Sequence, residues 1–459
     1  MKLVYLFLLI PVCAGCNKWL DVKPKTFVNE QDLFSNEQGF KDALIGVYTK
    51  ISGSELYGKE FSMGLIEVLS ANYNVSARGH TYYQAGIYNY LDPTIQQRIN
   101  QFWTVGYSAI ADLDNLLAKI DERKAVFVGN NYEIVKGEAL GLRALLHFDL
   151  LRAFGGIPAT DMDKKAIPYV TEFSMKVKPR LTMREVIAAC LKDLDTARNL
   201  LKTYQELNTG ASDLFLSHTR NHLNYWATAG LSARIYLYAG NKEKALEMAK
   251  IVIDGNRFKF TPTGQPLNRL LSTEHIFSVY VTDLETINTQ LFKSTAGASV
   301  LTNRSSFINS IFETANGGGT DYRFLYMWKT EGSTATKYPA KFWMDDITDP
   351  NTTRRVPVLR YSEMFYIAAE ATASLPEKIE FLNQVRTNRG LAALSNTLTA
   401  DAIDQAIFKE YRKEFYQEGQ LFYYYKRRNS QRIEGTGITG GPAVYILPLP
   451  NDETEFGQP

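Results

Sequence analysis

The chain has 459 residues, 45% of them apolar, enough for a large core and for about three average domains or one long repeat body. Its 51 Lys and Arg against 49 Asp and Glu leave a formal charge of +2, so overall charge points to neither nucleic acid nor another polyanion as a partner. Aromatic residues are abundant, with 27 Tyr, 25 Phe and 5 Trp, and the Tyr excess leaves amphipathic rings for a surface as well as for packing.

The N-terminus reads as an address. Lys2 precedes an apolar run, Leu3 to Val12, too short to span a bilayer comfortably, and Cys13-Ala14-Gly15-Cys16 follows. Small residues directly before Cys16 match a lipoprotein cleavage site, with Cys13 in place of the usual Leu. Residues 1–15 are therefore expected to leave as a signal peptide, and Cys16 to be acylated as the anchor to the membrane. With Cys13 in the leader and Cys16 acylated, Cys190 is the one ordinary thiol, and no intramolecular disulfide is expected.

Helical spacing begins at Glu37–Ile51, where Phe40, Ala43, Leu44, Val47 and Ile51 form a stripe. Residues 52–95 break it with repeated Gly and a decoration of Tyr, and a loop of this length without regular elements is uncommon unless functional. Helix is predicted again over Gln101–Ile120, and then over 132–154, where apolar residues cover most of the circumference. That breadth demands neighbours on two sides, and it requires inward Glu138, Arg143, Asp149 and Arg152 to be paired. Gly155 and Gly156 are expected to close this helix in the left-handed conformation, with Pro158 preventing continuation. Thr182 with Glu185 forms a capping box for a helix to about Leu201, on which Cys190 faces inward.

The clearest repeat lies at 224–254. Ala233, Tyr236, Gly240 and Ala245 have tetratricopeptide spacing, and Asn241 can cap the second helix. Such a hairpin cannot bury its own face, so the pairs 37–51 with 101–120 and 132–154 with 183–201 read as degenerate copies in one stack. From 256 to 357 the chain is mixed. His275–Tyr280 is strand-like, Asn316–Gly319 reads as a flexible loop, and Tyr326, Trp328, Tyr338 and Trp343 cluster after it. Another helix pair spans 361–373 and 376–389, with Pro376 in a first turn and Gly390 at the stop, and a long helix is expected from about Ile403 to Arg428.

Several of these segments resemble the SusD/RagB family. The helix Gly137-Glu138-Ala139-Leu140-Gly141-Leu142-Arg143-Ala144, ending Leu150-Leu151-Arg152-Ala153-Phe154-Gly155-Gly156-Ile157-Pro158, is similar to the family's best-preserved helix. So are Asn17–Pro24 after the anchor, Phe40 to Tyr48, Glu274 with Ile276-Phe277-Ser278, and Asp321 with Arg323. The resemblance continues through Glu370-Ala371, Leu382 to Gly390, Lys409 to Gly419 and the tail Tyr445–Pro450. It implies a mainly α fold of tetratricopeptide-like hairpins with long irregular loops and few strands. It implies an N-terminal helical-repeat part over 16–260, carrying the insertion 52–95, and a C-terminal part over 261–459 packed on the same body. It also implies a lipid-anchored protein of the outer membrane, facing the exterior, that works beside a TonB-dependent, SusC-like transporter.

No enzyme template is met: there is no Gly-x-Ser-x-Gly, His-Glu-x-x-His, Walker A or Gly-x-Gly-x-x-Gly, and no cofactor motif. His218 and His222 have metal-ligand spacing but no third ligand, so a solvated face is expected. Arg354-Arg355 and Arg427-Arg428 read as solvated basic pairs. The function expected is capture of an oligomeric nutrient, a glycan above an oligopeptide, with a helical-repeat scaffold that binds only protein as the alternative. Aromatic faces and nearby amides in irregular segments would serve a sugar, which singles out Asn72, Tyr73, Asn74, Arg78, Tyr82, Tyr83, Tyr322 and Trp328.

Overall fold

Side-chain caps set the helix starts, as the local sequence allows. In the computed structural model, which describes residues 30–458 apart from 209, 263–267, 333–334 and 348–352, Asn36 accepts the Gly39 N–H at the head of α1 (Glu37–Ile51). Cys16 and the leader lie outside the described residues. Asp92 caps α2 (Pro93–Ile120) with Pro93 in the first turn, so this helix starts eight residues before the Gln101 expected from periodicity. α3 (Asn131–Phe154) is followed by α4 (Met183–Leu201), whose Thr182–Glu185 capping box is formed. α5 (Tyr225–Tyr238) and α6 (Lys242–Asp254) form the expected hairpin, with Asn241 accepting the Lys244 N–H at 3.1 Å.

The C-terminal helices of eight residues or more are α7 (Leu284–Phe292), α8 (Ser305–Phe312), α9 (Tyr361–Ala371), α10 (Leu375–Thr387), α11 (Ala400–Glu414) and α12 (Gln420–Arg427). Each of α1 to α5 packs on its successor, α6 packs on α9, and α9 packs on α10. The hairpins therefore stack in one row that the C-terminal pair continues. Strands are few and short. β1 (His275–Tyr280) pairs antiparallel with β5 (Arg355–Arg360), and β4 (Thr336–Pro339) lies between β2 (Asn303–Arg304) and β3 (Trp328–Lys329).

α3 is buried along nearly its whole length, and its polar residues are paired. Arg143 reaches Asp193 at 2.7 Å and Asp114 at 2.8 Å, and Arg152 donates to Asp149 at 3.0 Å. Glu138 accepts from the Tyr48 hydroxyl at 2.6 Å and pairs with His222 at 2.9 Å. His222 is thus buried in an ion pair, not on a solvated face, while His218 is exposed. Cys190 is a free, fully buried thiol, and burial pushes its pKa well up. Gly155 does not adopt the left-handed form: its φ of −73° is extended. Glycine is needed there for close approach, because a Cβ would stand 2.6 Å from the Leu151 carbonyl oxygen.

Three further expectations are corrected. The helix expected through Arg428 is broken between Glu414 and Gln420, where Gln417 and Gly419 take φ of +67° and +68°. Asn316–Gly319 is not an open loop but falls in two 3-10 turns with Gly318 buried. Arg355 is buried, and Arg427 pairs with Glu370 at 2.8 Å and lies over the Tyr424 ring, so neither is a simply solvated base.

The break after α11 serves a buried ion network. Glu410 accepts from Arg323 at 2.7 Å and Arg386 at 2.6 Å, and Glu414 accepts from Arg323, Arg360 and Arg389 at 2.5–2.8 Å. Glu418 pairs with Lys341 at 2.6 Å and Arg360 at 2.9 Å, Glu274 with Arg389 at 2.7 Å, and Asp321 with Arg323 at 2.7 Å. Five carboxylates (Glu274, Asp321, Glu410, Glu414, Glu418) thus meet six cations (Arg323, Lys341, Arg360, Arg386, Arg389, Lys413). A buried charge is tolerated only when paired in this way.

Candidate functional site

The insertion 52–95 is not a surface loop throughout. Leu56, Phe61, Leu65 and Ile66 bury its first half in the core, and short helices form at Leu65–Val68 and Tyr83–Gly86. Its second half runs antiparallel to residues 298–302. Asn74 donates its N–H to the Thr302 carbonyl at 2.9 Å, and Thr81 donates to the Ala298 carbonyl at 3.0 Å. His80 locks the seam. Its Nε2–H donates to the Val300 carbonyl at 3.0 Å, while its Nδ1 accepts the Tyr82 N–H at 3.0 Å. Burial lowers its pKa, in keeping with a neutral ring that needs one acceptor nitrogen.

An opening lies at each end of this seam. At the Asn74 end, a cavity of about 500 Å³ is lined by Asn74, Ser76, Ile87, Arg304, Ser306 and Phe307 among others. At the Thr81 end, a cleft of about 310 Å³ lies between Lys59, Tyr82, Arg98, Thr289 and Ser299. The larger opening has the size of a small-molecule site and combines apolar walls with a few polar groups. Ile87 and Arg304 are exposed, and Phe307 is half-buried with one face toward the Arg412 guanidinium, 5.3 Å from the ring centroid.

Asn72 braces the floor. Its side-chain N–H donates to Glu67 at 3.0 Å, its Oδ1 accepts from Arg412 at 3.2 Å, and its carbonyl accepts from Asn303 at 2.9 Å and from the Tyr416 hydroxyl. Burial raises the Glu67 carboxyl to about 7, outweighing the hydrogen bonds from Asn72 and Gly419.

The residues singled out in the sequence divide sharply. Asn74 lines the cavity, Arg78 is exposed two residues past Ser76 on the same loop, and Tyr83 is half-buried. Tyr73 is buried but forms part of the cavity wall, edge-on to Tyr416 at 5.5 Å. Asn72 and Tyr82 are buried as braces, Tyr82 donating to Glu60 at 2.9 Å beneath the Arg98 guanidinium. Tyr322 and Trp328 are 3% and 7% exposed and belong to the core, Tyr322 against Tyr326 and Trp328 against Tyr416. Spacing in this aromatic cluster is irregular, and irregular spacing does not distinguish a packed turn from an exposed one. Arg304, Phe307 and Ile87 carry no signal in the sequence. Asn303-Arg304-Ser305-Ser306 reads as an ordinary helix start, and only its pairing across the molecule brings it to the cavity.

A stack of helical hairpins whose irregular insertions meet around an open cavity has the build of a binding protein. Residues 18–237 match the family model described as SusD-like, starch-binding and associating with the outer membrane, and residues 276–448 match that of the SusD family. The chain belongs to the SusD/RagB family, whose members bind without catalysing, and it is a SusD-like, carbohydrate-binding protein associated with the outer membrane. It is 25% identical to the SusD-like protein P38 of Formosa agariphila over 96% of this chain and 93% of that one. A SusD-like carbohydrate binding protein of Bacteroides vulgatus superposes with a TM-score of 0.72 at 21% identity, covering 91% of this chain and 96% of that one. A SusD superfamily protein of Bacteroides fragilis gives 0.72 at 22% identity, over 93% and 99%. These likenesses show the fold.

Proposed function

We propose that the protein is a surface lipoprotein that captures an oligosaccharide at the cavity beside Asn74 and passes it to a partner TonB-dependent transporter. The observation that carries this reading is the cavity itself: an open space of about 500 Å³ where the irregular insertion meets the junction of β2 and α8, with the Phe307 ring for a sugar face and the Asn74 and Ser306 side chains for hydroxyls. Family membership and the carbohydrate-binding description of the Bacteroides vulgatus neighbour support a glycan over a peptide. No described helix is long and apolar enough to cross a membrane, so the attachment proposed here rests on acylated Cys16.

The test is purification from detergent-solubilised membranes. The wild-type chain is expected to bring a TonB-dependent transporter with it, whereas Cys16→Ser is expected in the soluble fraction. Retention of that variant in the membrane pellet would overturn the anchor, and purification of the wild type without a transporter would overturn the partner. Titration of a peptide digest beside an oligosaccharide panel decides the ligand class, and binding to peptides alone would overturn the glycan.

A further inference from the structure

We infer that the cavity beside Asn74 takes an anionic oligosaccharide, one bearing carboxylate or sulfate groups; this rests on the carbohydrate reading above and narrows it. Local charge sets this cavity apart. Among the described residues no Asp or Glu lines the cavity, and Arg304 is the one charged side chain that does. Arg304 is exposed and has no ion pair among those residues. A guanidinium left free at the mouth of an open cavity presents its donor fork to whatever enters, and that fork matches a carboxylate or sulfate.

The surroundings add positive charge. Arg412 lies behind the Phe307 ring, held by Asn72 through Nε, with its Nη2 buried and unpartnered among the described residues. Arg78, on the loop that carries Asn74 and Ser76, is exposed and unpaired among the described residues. The carboxylate next to the cavity in sequence, Glu434 before Gly435, lies 3.7 Å from Arg432 and is partly neutralised there. The α8 helix starts at Ser305 with no side-chain cap, so the positive end of its dipole adds to Arg304 at the wall formed by Ser306 and Phe307. A formal charge of +2 over the whole chain hides this, because it averages the cavity with the rest of the surface.

In the bound state an acidic group would pair with Arg304, the sugar's C–H face would lie on Phe307, and the Asn74 amide and the Ser306 hydroxyl would take ring hydroxyls. Two sources of the anion share this chemistry, a uronic acid and a sulfate ester.

The experiment is calorimetric titration of the mature chain in detergent with hexagalacturonate, its methyl ester, a carrageenan hexasaccharide, its desulfated form and maltohexaose. At least one acidic probe is expected to bind ten-fold or more tightly than its neutralised counterpart, and to weaken as salt rises. Preference for hexagalacturonate assigns the carboxylate, and preference for carrageenan the sulfate. Arg304→Glu is expected to abolish the preference, and the exposed change Lys250→Glu on α6 to leave it, both at unchanged melting temperature. Equal affinity for charged and neutralised forms, or binding of maltohexaose alone, would overturn the charge assignment and leave the carbohydrate reading standing. An acid preference that survives Arg304→Glu would overturn this cavity as its seat. Silence from all five probes would overturn both readings.

Discussion

Trp328 stands edge-on to Tyr416 with ring centroids 4.7 Å apart and to Phe312 at 6.2 Å, and its indole N–H has no acceptor among the described residues. A ring placed so stabilises by packing, and its removal leaves a cavity the neighbours cannot fill. Trp328→Ala is expected to cost about 3–5 kcal/mol in chemical denaturation. A loss below about 1 kcal/mol would return the ring to the surface. Asn72 shows the same division between brace and contact at a polar residue. Its side-chain amide is engaged with Glu67 and Arg412 and its main-chain carbonyl with Asn303 and Tyr416, so its service to the cavity is to hold the floor in place.

Helix ends decide more here than helix interiors. α11 carries Glu410 and Glu414 into the ion network, but a continuous helix would carry Glu418 onward along the same axis. The break lets Glu418 reach Lys341 and Arg360 and lets the Gly419 N–H donate to Glu67 at 2.8 Å. Gly419 has φ of +68°, and a Cβ there would stand 2.7 Å from the Ser62 carbonyl oxygen. Gly419→Ala is expected to cost at least about 2 kcal/mol, read from urea denaturation, since it combines left-handed strain with a backbone clash. A loss under about 0.5 kcal/mol would mean that the break relaxes freely.

Across the whole molecule the ion network joins elements far apart in the chain: the turn before β1 through Glu274, the turn at Asp321, β5 through Arg360, α10 through Arg386, and α11. Burial would raise the Glu410 carboxyl, but Arg323, Lys413 and Arg386 outweigh it and hold the group down from the ordinary 4.5 to about 2. Glu414 is held well below 4.5 by Arg389, Arg360 and Arg323 against the same burial. The sign follows from proton binding. Between the two values the unfolded chain takes up a proton that the folded chain refuses, so stability is full above 4.5 and drains as pH falls toward 2. The melting temperature is expected to drop steeply across that window. Glu410→Gln should be less stable at pH 7 and show a shallower acid slope, and an unchanged slope would remove Glu410 as a source.

The hairpin stack was legible in the sequence, because what specifies it is local. Apolar spacing marks α1, α3, α4, α5 and α6, the Thr182–Glu185 box and Asn241 mark the starts of α4 and α6, and the Leu-Arg-Ala-Phe-Gly-Gly end of α3 follows from one turn of chain. The motifs that recur along the chain, Glu274, Asp321 with Arg323, Arg386 with Arg389, and Glu410 to Gly419, were visible as words but not as one buried network. Of the cavity, only the wall at Tyr73 and Asn74 comes from a segment the sequence singles out. Arg304 and Phe307 meet Asn74 through backbone bonds such as that from Asn74 to Thr302, more than two hundred residues apart in sequence. Spacing along a helix is set by its own geometry, whereas which charged side chain stands at a cavity mouth is set by how distant segments pack, and that only the folded chain decides.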